Sequence, residues 1–588
     1  MHEFTVWAPK AKSVSVKIDD RIYPMVGLND RGWWSVGVEH AGAGTDYAFL
    51  LDDDATPYPD PRSAWQPNGV HRASRVVDHA AFPWTDGAWQ GPPLASAVIY
   101  ELHVGTFTKD GTFDAAIERL PYLVDLGITH IELMPVAAFP GAFGWGYDGV
   151  ALFAAQHLYG GPDGLKRLVD ASHRHGIGVL LDVVYNHFGP VGNYTNKFGP
   201  YLTDNHRTPW GTAVNFEGAG SDEVRRFFCD NALMWMRDYH VDGLRLDAVH
   251  EFMDRSAIHF MEQLSVEVEA LASTVGRSLV LIVESDLNDP RVVTPREARG
   301  YGIDAQWSDD FHHALFAILH NEPGVGYYSD FGSLGDLAKS LTDAFVYDGG
   351  FSRHRDRCHG RPVQGLSAHH FLGYIQNHDQ VGNRATGDRL EQIVGSDLAK
   401  VAAALVLTAP FIPMLFQGEE YAASTPFQYF ADHEDEQMRK AVSEGRKREF
   451  AAFGWKAEEI PDPESPETFE RSKLNWNEVH AGAHEEMLAW YKQLIHLRRR
   501  SPSLNDGDLK HVKVEYNEDQ RWLVMERGLV KVICNLGSEA VEFEILDGYS
   551  LLLASRAEIR VEATKVIVPA QSVVIISAEK VADGLKKS

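Results

Sequence analysis

Apolar and polar residues alternate with a period of two near both ends of the chain. Near the start, the alternating runs are separated by Gly, Asp and Pro clusters and cover residues 4–7, 14–18, 33–38 and 47–51. Near the end, they cover residues 522–526, 530–534, 541–545, 566–568 and 572–576. This alternation is typical of strands that bury one face. A β-sandwich is therefore predicted at each end.

Between these ends the pattern changes to short, solidly apolar runs that alternate with amphipathic helical segments. Eight apolar runs cover residues 97–104, 130–134, 178–184, 243–249, 279–284, 304–307, 371–376 and 412–417. The helical segments include residues 112–126, 164–175, 221–239 and 485–500. Strands that are buried on both faces lose their alternation. Eight strand–helix units in succession predict an α/β fold, a closed parallel (β/α)8 TIM barrel.

The predicted domains follow from these changes of pattern. We assign residues 1–92 to an N-terminal, immunoglobulin-like β-sandwich, residues 93–502 to the barrel and residues 503–588 to a C-terminal β-sandwich. Two insertions interrupt the barrel. Residues 188–220 are rich in Gly, Asn, Pro and aromatics, which is typical of a loop that folds over a cleft. Residues 421–475 contain Gly445-Arg446-Lys447-Arg448-Glu449-Phe450, in which Lys447 and Arg448 are expected on a solvated helix face.

Charge and cysteine content limit the possible partners and the compartment. The net charge is −28 over 588 residues, which would repel nucleic acid and anionic membranes but suits a neutral substrate. No run of 18 apolar residues occurs, and the first residues lack the basic and apolar regions of a signal peptide. The three cysteines have no paired spacing, so we expect a cytoplasmic protein.

Ionisable side chains follow the predicted strands at the end where, in such a barrel, they meet at one mouth. The segments are Asp182-Val183-Val184-Tyr185-Asn186-His187, Gly243-Leu244-Arg245-Leu246-Asp247-Ala248-Val249-His250, Val283-Glu284-Ser285-Asp286 and Gln376-Asn377-His378-Asp379. One carboxylate after a strand is often only a helix N-cap. Four such segments on one barrel indicate a catalytic site.

Asp247 and Glu284 fit the chemistry of glycoside hydrolysis. That reaction needs two carboxyl groups, about 5 to 5.5 Å apart when configuration is retained, and adjacent strands can provide this spacing. Arg245 lies two residues before Asp247, on the same side of the strand, and is expected to keep Asp247 ionised. Crowding by Asp247 and Asp379 is predicted to raise the pKa of Glu284, as a general acid requires.

The four segments resemble the sequence regions of the α-amylase superfamily of glycoside hydrolases. The resemblance implies that Asp247 is the nucleophile, Glu284 the general acid/base and Asp379 the transition-state stabiliser that grips the distorted sugar. It also implies which residues line the same sugar subsite: Tyr147, Asp148, His187, Arg245 and His378.

Finer motifs resemble the maltooligosyltrehalose trehalohydrolase family within that superfamily. These are the linker 59–67, the segment Gly445 to Phe450, Glu284-Ser285-Asp286-Leu287-Asn288-Asp289-Pro290-Arg291 and Gln306-Trp307-Ser308-Asp309-Asp310-Phe311-His312-His313. The stretch from Tyr100 to Phe113 resembles more broadly the first strand of branching enzymes and their relatives. The resemblance implies cleavage of the α-1,4 bond next to the terminal trehalose of maltooligosyl trehalose. His250 and Glu251 replace the Lys-His of many amylases, so His250, Glu251 and Asp286 are the candidate trehalose contacts. Equally, these residues could only brace their loops.

Two other functions are compatible with parts of this pattern. A glucan branching enzyme would share the carboxylates but transfer the glycosyl group to a sugar hydroxyl. A non-catalytic, glucan-binding barrel is the third alternative, against which the complete set of carboxylates and Arg245 argues. No cofactor and no metal are predicted, although Asn186 matches a position that binds calcium in many α-amylases.

Overall fold

The central feature of the structure is a closed barrel of eight parallel strands, which confirms the predicted fold. The computed structural model describes residues 1–27, 29–320, 326–451, 455–546, 548–562 and 564–578. In chain order the barrel strands are Ile99–Leu102, His130–Leu133, Gly178–Val183, Gly243–Leu246, Val280–Val283, Ala305–Trp307, Phe371–Gly373 and Ile412–Phe416. The residues trimmed from the predicted strand ends include Asp247 and Glu284, which lie just beyond the strands.

The barrel interior consists of an apolar layer below a polar layer. The apolar side chains are Ala97, Ile99, Leu180, Ile282, Ala305, Trp307, Leu372, Tyr374, Ile412 and Met414. Two residues further along three of these strands come Glu101, Asp182 and Glu284, which therefore also point inward. The sheet register places Asp182 beside Arg245, and both side chains are buried. The apolar layer thus supports a set of charged groups at the mouth.

Helices surround the barrel, and one predicted helix is wrong in detail. The segment 112–126 forms two helices, because Pro121 lacks the amide hydrogen that a continuous helix needs at that position. The longer helices are Gly161–Arg174, Ser221–Asp238, Phe260–Val275, Asp309–His320, Leu334–Asp343, Ser396–Thr408, Glu436–Ala451 and Ala483–Arg500. The shorter ones are Val104–Phe107, Phe113–Ile117, Leu120–Leu126, Thr195–Phe198, His378–Gly382, Leu390–Val394, Pro466–Arg471 and Pro502–Asn505. No helix in the described ranges has both the length and the apolar character needed to cross a membrane.

Strand-rich domains lie at both ends, as predicted. The N-terminal one has a three-stranded sheet of His2–Trp7, Trp33–Val38 and Val26–Gly27, and a four-stranded sheet of Arg21–Pro24, Val14–Ile18, Asp46–Leu51 and Ser74–Arg75. The C-terminal one has a five-stranded sheet of Val512–Asn517, Trp522–Arg527, Val530–Asn535, Ser572–Ser577 and Ser550–Ala554, and a pair of Val541–Glu544 with Lys565–Val568. Residues 579–588 of the predicted last domain lie outside the described residues. The exact domain limits stay predictions.

The insertion 188–220 is more ordered than the loop that its composition predicts. It contains the short helix Thr195–Phe198 and a hairpin of Leu202–Thr208 with Gly211–Val214. Trp210 lies in the turn of this hairpin, and its ring stacks on that of His187 with centroids 5.0 Å apart. The hairpin therefore places an aromatic side chain at the barrel mouth. The sequence does not indicate this hairpin, because turn-forming residues dominate the composition of the segment.

Candidate active site

Asp247 and Glu284 lie side by side at the mouth, each directly after its strand. Leu246 pairs with Val283 in the sheet register, so the residues that follow them are also neighbours. Backbone hydrogen bonds join the two loops: the Glu284 amide donates to Leu246 over 3.0 Å, and the Val249 amide donates to Glu284 over 3.0 Å. The Ala248 amide also donates to the Glu284 carboxylate over 3.2 Å. The parallel sheet therefore holds both carboxyl groups at a set separation.

Arg245 joins the carboxylates of the site. Its buried guanidinium donates to Asp182 Oδ2 over 2.6 Å, to Asp247 Oδ1 over 2.9 Å and to Glu284 Oε2 over 2.6 Å. The guanidinium carbon lies 4.0 Å from the ring centre of Trp307, which closes the barrel below it. A planar cation with several donors suits this role, because one side chain can hold three carboxylates at defined angles.

The pKa values of the two candidate catalytic carboxyl groups, Asp247 and Glu284, are shifted in opposite directions. Burial by itself would raise the pKa of Asp247, but Arg245, His187 and the Asn186 amide outweigh it and hold that pKa below its ordinary value. Burial raises the pKa of Glu284 well above its ordinary value, with a smaller contribution from the charges of Asp247 and Asp379 and with Arg245 opposing. An ionised nucleophile beside a protonated acid is the arrangement that retaining hydrolysis needs.

This result corrects one detail of the sequence analysis. Crowding by Asp247 and Asp379 was expected to raise the pKa of Glu284. The direction is the same in the structure, but burial is the larger cause. A charged carboxylate loses its hydration when it is enclosed, and the extent of enclosure depends on loops that are distant in sequence. Strand spacing alone could not indicate it.

His378 and Asp379 form the opposite wall of the site, and Glu101 holds them there. The Glu101 carboxylate accepts from the His378 backbone amide over 2.9 Å and pairs with His378 Nδ1 at 2.5 Å. Burial would lower the pKa of His378, but Asp379 and Glu101 outweigh it and raise that pKa to about 9. His378 Nε2 lies 3.5 Å from Asp379 Oδ2 and 2.8 Å from the Tyr147 hydroxyl. His378 is therefore a cation near neutral pH.

Tyr147, Asp148 and His187 surround the same space. The Tyr147 hydroxyl donates to Asp182 over 2.6 Å, and its ring lies 5.1 Å from that of His378. Asp148 faces His433 Nε2 at 3.7 Å. His187 is buried, and its Nδ1 pairs with the Asn186 amide oxygen. The structure therefore brings together the residues that the sequence assigned to one sugar subsite.

The Asn186 side chain forms hydrogen bonds with Asp247. Its amide nitrogen donates to Asp247 Oδ2 over 2.8 Å and to the Asp247 carbonyl over 3.1 Å, while its oxygen faces His187. Both ends of the side chain are thus used within the site. Among the described residues, no group of three or more His, Cys, Asp or Glu side chains is arranged to hold a metal ion.

His250, Glu251 and Asp286 lie beside the acid/base candidate. His250 and Glu251 belong to the short turn Val249–Glu251, and the Asp286 amide donates to His250 Nδ1 over 3.3 Å. The Asp286 carboxylate pairs with Arg355, and its carbonyl accepts from His359 over 2.7 Å. Both partners come from the hairpin Asp348–Ser352 with Arg357–Gly360, which the sequence analysis did not connect with the site.

Comparison with known proteins identifies the family. Residues 83–209 match the model of the alpha amylase catalytic domain, and residues 507–575 match a domain of unknown function, DUF3459. Over 581 residues the chain is 49% identical to a malto-oligosyltrehalose trehalohydrolase of Rhizobium sp. (strain M-11), with 97% of each protein covered. The chain belongs to the malto-oligosyltrehalose trehalohydrolase family. It is therefore a glycoside hydrolase.

Two further comparisons set this membership in context. A protein from Salmonella typhimurium, named a candidate alpha amylase, superposes with a TM-score of 0.90 at 36% identity and covers 98% of this chain and 97% of its own. A 1,4-alpha-glucan branching enzyme of Corynebacterium jeikeium is 31% identical over 55% of this chain and 50% of its own. The resemblance to the trehalohydrolase family thus extends over nearly the whole chain, and that to this branching enzyme over about half.

Glu101 was not predicted from the sequence as a residue of the site. Its role can be tested by removing its charge. In a Glu101→Gln variant we expect kcat/KM to fall by about 10- to 100-fold, as the loss of a buried charge-assisted hydrogen bond implies. Asp379 and Glu101 together raise the pKa of His378 to about 9, so without the charge of Glu101 that pKa falls and the cation is lost at a lower pH. The alkaline side of the pH profile of kcat/KM should therefore move to lower pH.

The matched control for this experiment is Glu118→Gln, at an exposed helix end. It removes the same charge far from His378 and should leave both the rate and the pH profile unchanged. A Glu101→Gln enzyme with the wild-type profile would show that the charge of Glu101 does not act on His378.

Proposed function

We propose that this chain is a retaining hydrolase that cleaves the α-1,4-glucosidic bond next to the terminal trehalose of maltooligosyl trehalose. The products are trehalose and a shortened maltooligosaccharide. The observation that carries the chemistry is the buried Arg245, bonded to both Asp247 and Glu284. The near-full-length similarity to a named trehalohydrolase supports the choice of substrate.

The reaction begins with the two carboxyl groups on adjacent strands. Glu284, kept protonated by burial, gives its proton to the glycosidic oxygen, so that the leaving trehalose departs as a neutral alcohol. Asp247, kept ionised by Arg245 and Asn186, attacks the anomeric carbon and forms a glycosyl ester. Glu284 then takes a proton from water, which attacks the ester and releases the sugar with its configuration retained.

The surrounding residues bind and distort the sugar whose bond is broken. Asp379 accepts hydrogen bonds from its hydroxyls, and the His378 cation beside Asp379 favours the ionised form of that carboxylate. Tyr147 presents a ring face for stacking, and its hydroxyl is fixed by Asp182 and His378. Further contacts to this sugar come from Asp148, His187 and Arg245. Bonds that tighten as the ring flattens stabilise the transition state more than the bound substrate.

The trehalose end is assigned to the side of the site next to Glu284. The proton donor must contact the leaving-group oxygen, so the residues that follow the donor border the leaving group. His250, Glu251 and Asp286 lie there and are the proposed trehalose contacts. The pairing of Asp286 with Arg355 and His359 supports a rigid pocket that can discriminate between two disaccharide leaving groups.

A product analysis tests the proposal. The protein is incubated with maltooligosyl trehalose and, as a control, with a plain maltooligosaccharide of the same number of glucose units. We expect free trehalose from the first and much slower cleavage of the second. The new reducing end of the maltooligosaccharide, observed by NMR early in the reaction, should have the α configuration. Formation of α-1,6 branches would instead identify a branching enzyme, and an absence of any bond cleavage would leave only glucan binding.

We also propose a cytoplasmic location. The cysteines Cys229, Cys358 and Cys534 are all unpaired, and Cys229 and Cys534 are buried. Unpaired cysteines are typical of proteins that work in a reducing compartment.

The proposed binding partner is an α-glucan. Nucleic acid and membrane surfaces are not proposed as partners, because the strongly negative net charge of the chain would repel them.

A further inference from the structure

The helix Glu436–Ala451 of the second insertion reaches the candidate active site through Arg446. Most of this helix faces solvent, as the sequence predicted for Lys447 and Arg448, and Phe450 is buried. Arg446 differs from its neighbours, because its side chain is only 12% exposed while that of Lys447 is 35% exposed. A long cationic side chain is seldom enclosed without a specific set of partners.

Arg446 has one partner on its own helix, Glu449, whose carboxylate lies 3.2 Å from the guanidinium, and two partners in the loop that carries Asp379. Its guanidinium donates to the carbonyl of Gly382 over 2.5 Å and to Asn383 Oδ1 over 3.2 Å. It also lies 5.2 Å from the ring centre of Tyr429 and 4.7 Å from that of Phe450. The two rings cover the guanidinium and shield it from water, which strengthens its hydrogen bonds.

Asn383 connects Arg446 to Asp379 by hydrogen bonds. The Asn383 side-chain nitrogen donates to Asp379 Oδ1 over 3.2 Å, and its backbone amide donates to the Asp379 carbonyl over 2.9 Å. The orientation of the Asn383 amide matters here, since one end is a donor and the other an acceptor. Arg446 occupies the oxygen end. The nitrogen end is thereby directed at the carboxylate, whereas a reversed amide would repel it.

Asp379 needs such a support because burial does not set its position. Its side chain is 36% exposed, at the first turn of the five-residue helix His378–Gly382. A carboxylate in this setting can rotate away from the sugar. Catalytic groups must be held close to the productive geometry, and a displacement of about 1 Å costs roughly 100-fold in rate.

We propose that Arg446 is a positioning residue that fixes Asp379 through Asn383, so that the second insertion is part of the catalytic apparatus. The proposal rests on the role of Asp379 assigned above. It follows from the order of the contacts, in which the cation meets the amide oxygen and the amide nitrogen meets the carboxylate. Arg446 thus contributes to the turnover rate through Asn383 and Asp379.

The principal test is the variant Arg446→Met, which keeps most of the apolar stem and removes the donors. We expect kcat to fall by about 10- to 100-fold while KM stays within about twofold, because Asp379 binds the distorted sugar of the transition state more strongly than the bound substrate. Arg446→Lys keeps a cation that can reach Asn383 Oδ1 and should recover part of the loss. Lys447→Met is the matched control on the same helix and should retain the wild-type kcat and KM.

Asn383→Ala provides a second, independent variant. It should lower kcat by a similar factor, and the double variant with Arg446→Met should be no slower than the slower single variant, because both act on one contact chain. If Arg446→Met does not fold, as its thermal unfolding midpoint will show, Asn383→Ala and Arg446→Lys carry the test. The proposal is overturned if Arg446→Met keeps at least half of the wild-type kcat, if the loss lies in KM, or if the two substitutions act additively.

All rates are compared with the wild type on one α-glucan that the wild type cleaves. A wild type that cleaves maltooligosyl trehalose without releasing trehalose would contradict the proposed function. The ratio of variant to wild-type kcat would still measure the effect of Arg446 on Asp379. The two failures are therefore distinguishable.

Discussion

Replacing Asp247 by Asn is expected to lower kcat by roughly 10⁴- to 10⁶-fold, the range seen when a catalytic nucleophile is removed. The amide has nearly the shape of the carboxylate, and its oxygen can still accept from Arg245. Its nitrogen cannot accept the hydrogen bond that Asn186 donates to Asp247 Oδ2, so the variant keeps the shape of the site but loses one contact. It cannot form a stable ester with the anomeric carbon, so the covalent step is lost. The measurement is the rate of trehalose release from maltooligosyl trehalose at saturating substrate.

The control is Asp204→Asn, an equivalent change at an exposed position in the hairpin of the first insertion. It should be indistinguishable from the wild type. Residual activity of Asp247→Asn above about 1% of the wild-type rate, in protein made without wild-type contamination, would exclude Asp247 as the nucleophile.

Replacing Glu284 by Gln is expected to have an effect that depends on the leaving group. Hydrolysis of a glycosidic bond should slow by about 10²- to 10⁴-fold, because the leaving alcohol is no longer protonated. A glycosyl fluoride should react much closer to the wild-type rate in its first step, since fluoride departs without a proton. Asp247→Asn should fail on both substrates, which separates the two roles.

The pH profile gives a second readout for Glu284. Burial holds the pKa of Glu284 well above its ordinary value, so wild-type activity should fall as the pH rises through that raised pKa and the acid loses its proton. Gln does not titrate, and the variant should lose this part of the alkaline decline. A decline that persists near pH 9 would belong to His378, whose pKa is raised to about 9. If the alkaline limb is unchanged at every pH, Glu284 is not the titrating acid.

The sequence predicted the barrel because its signal is local. Apolar runs such as Gly178–Val183 and Val280–Val283 are buried on both faces, and each run can be recognised without reference to the others. The same holds for the candidate carboxylates, since the end of a buried strand locates Asp247 and Glu284. The period of two along the strand also placed Arg245 on the side of Asp247, where the structure has it.

The sequence did not predict contacts between residues that are far apart along the chain. Glu101 and His378 are 277 positions apart, and Arg446 is 64 positions from Gly382. Neither pairing leaves a trace in local periodicity. A lone glutamate within the apolar strand Ile99–Leu102 is the signal that could have found Glu101, because a buried carboxylate requires a partner. For Arg446 the sequence shows only one basic residue among several.

The sequence by itself determined the barrel, the two terminal β-sandwiches and the order in which the ionisable residues arrive at the mouth, because all of these follow from periodicity and from strand ends. Only the tertiary structure decided which charges meet and how far each is removed from water. Burial raises the pKa of Glu284, and Arg245 with Asn186 lowers that of Asp247. The reason is physical: solvation and Coulomb energies depend on distance in space, which the fold alone establishes.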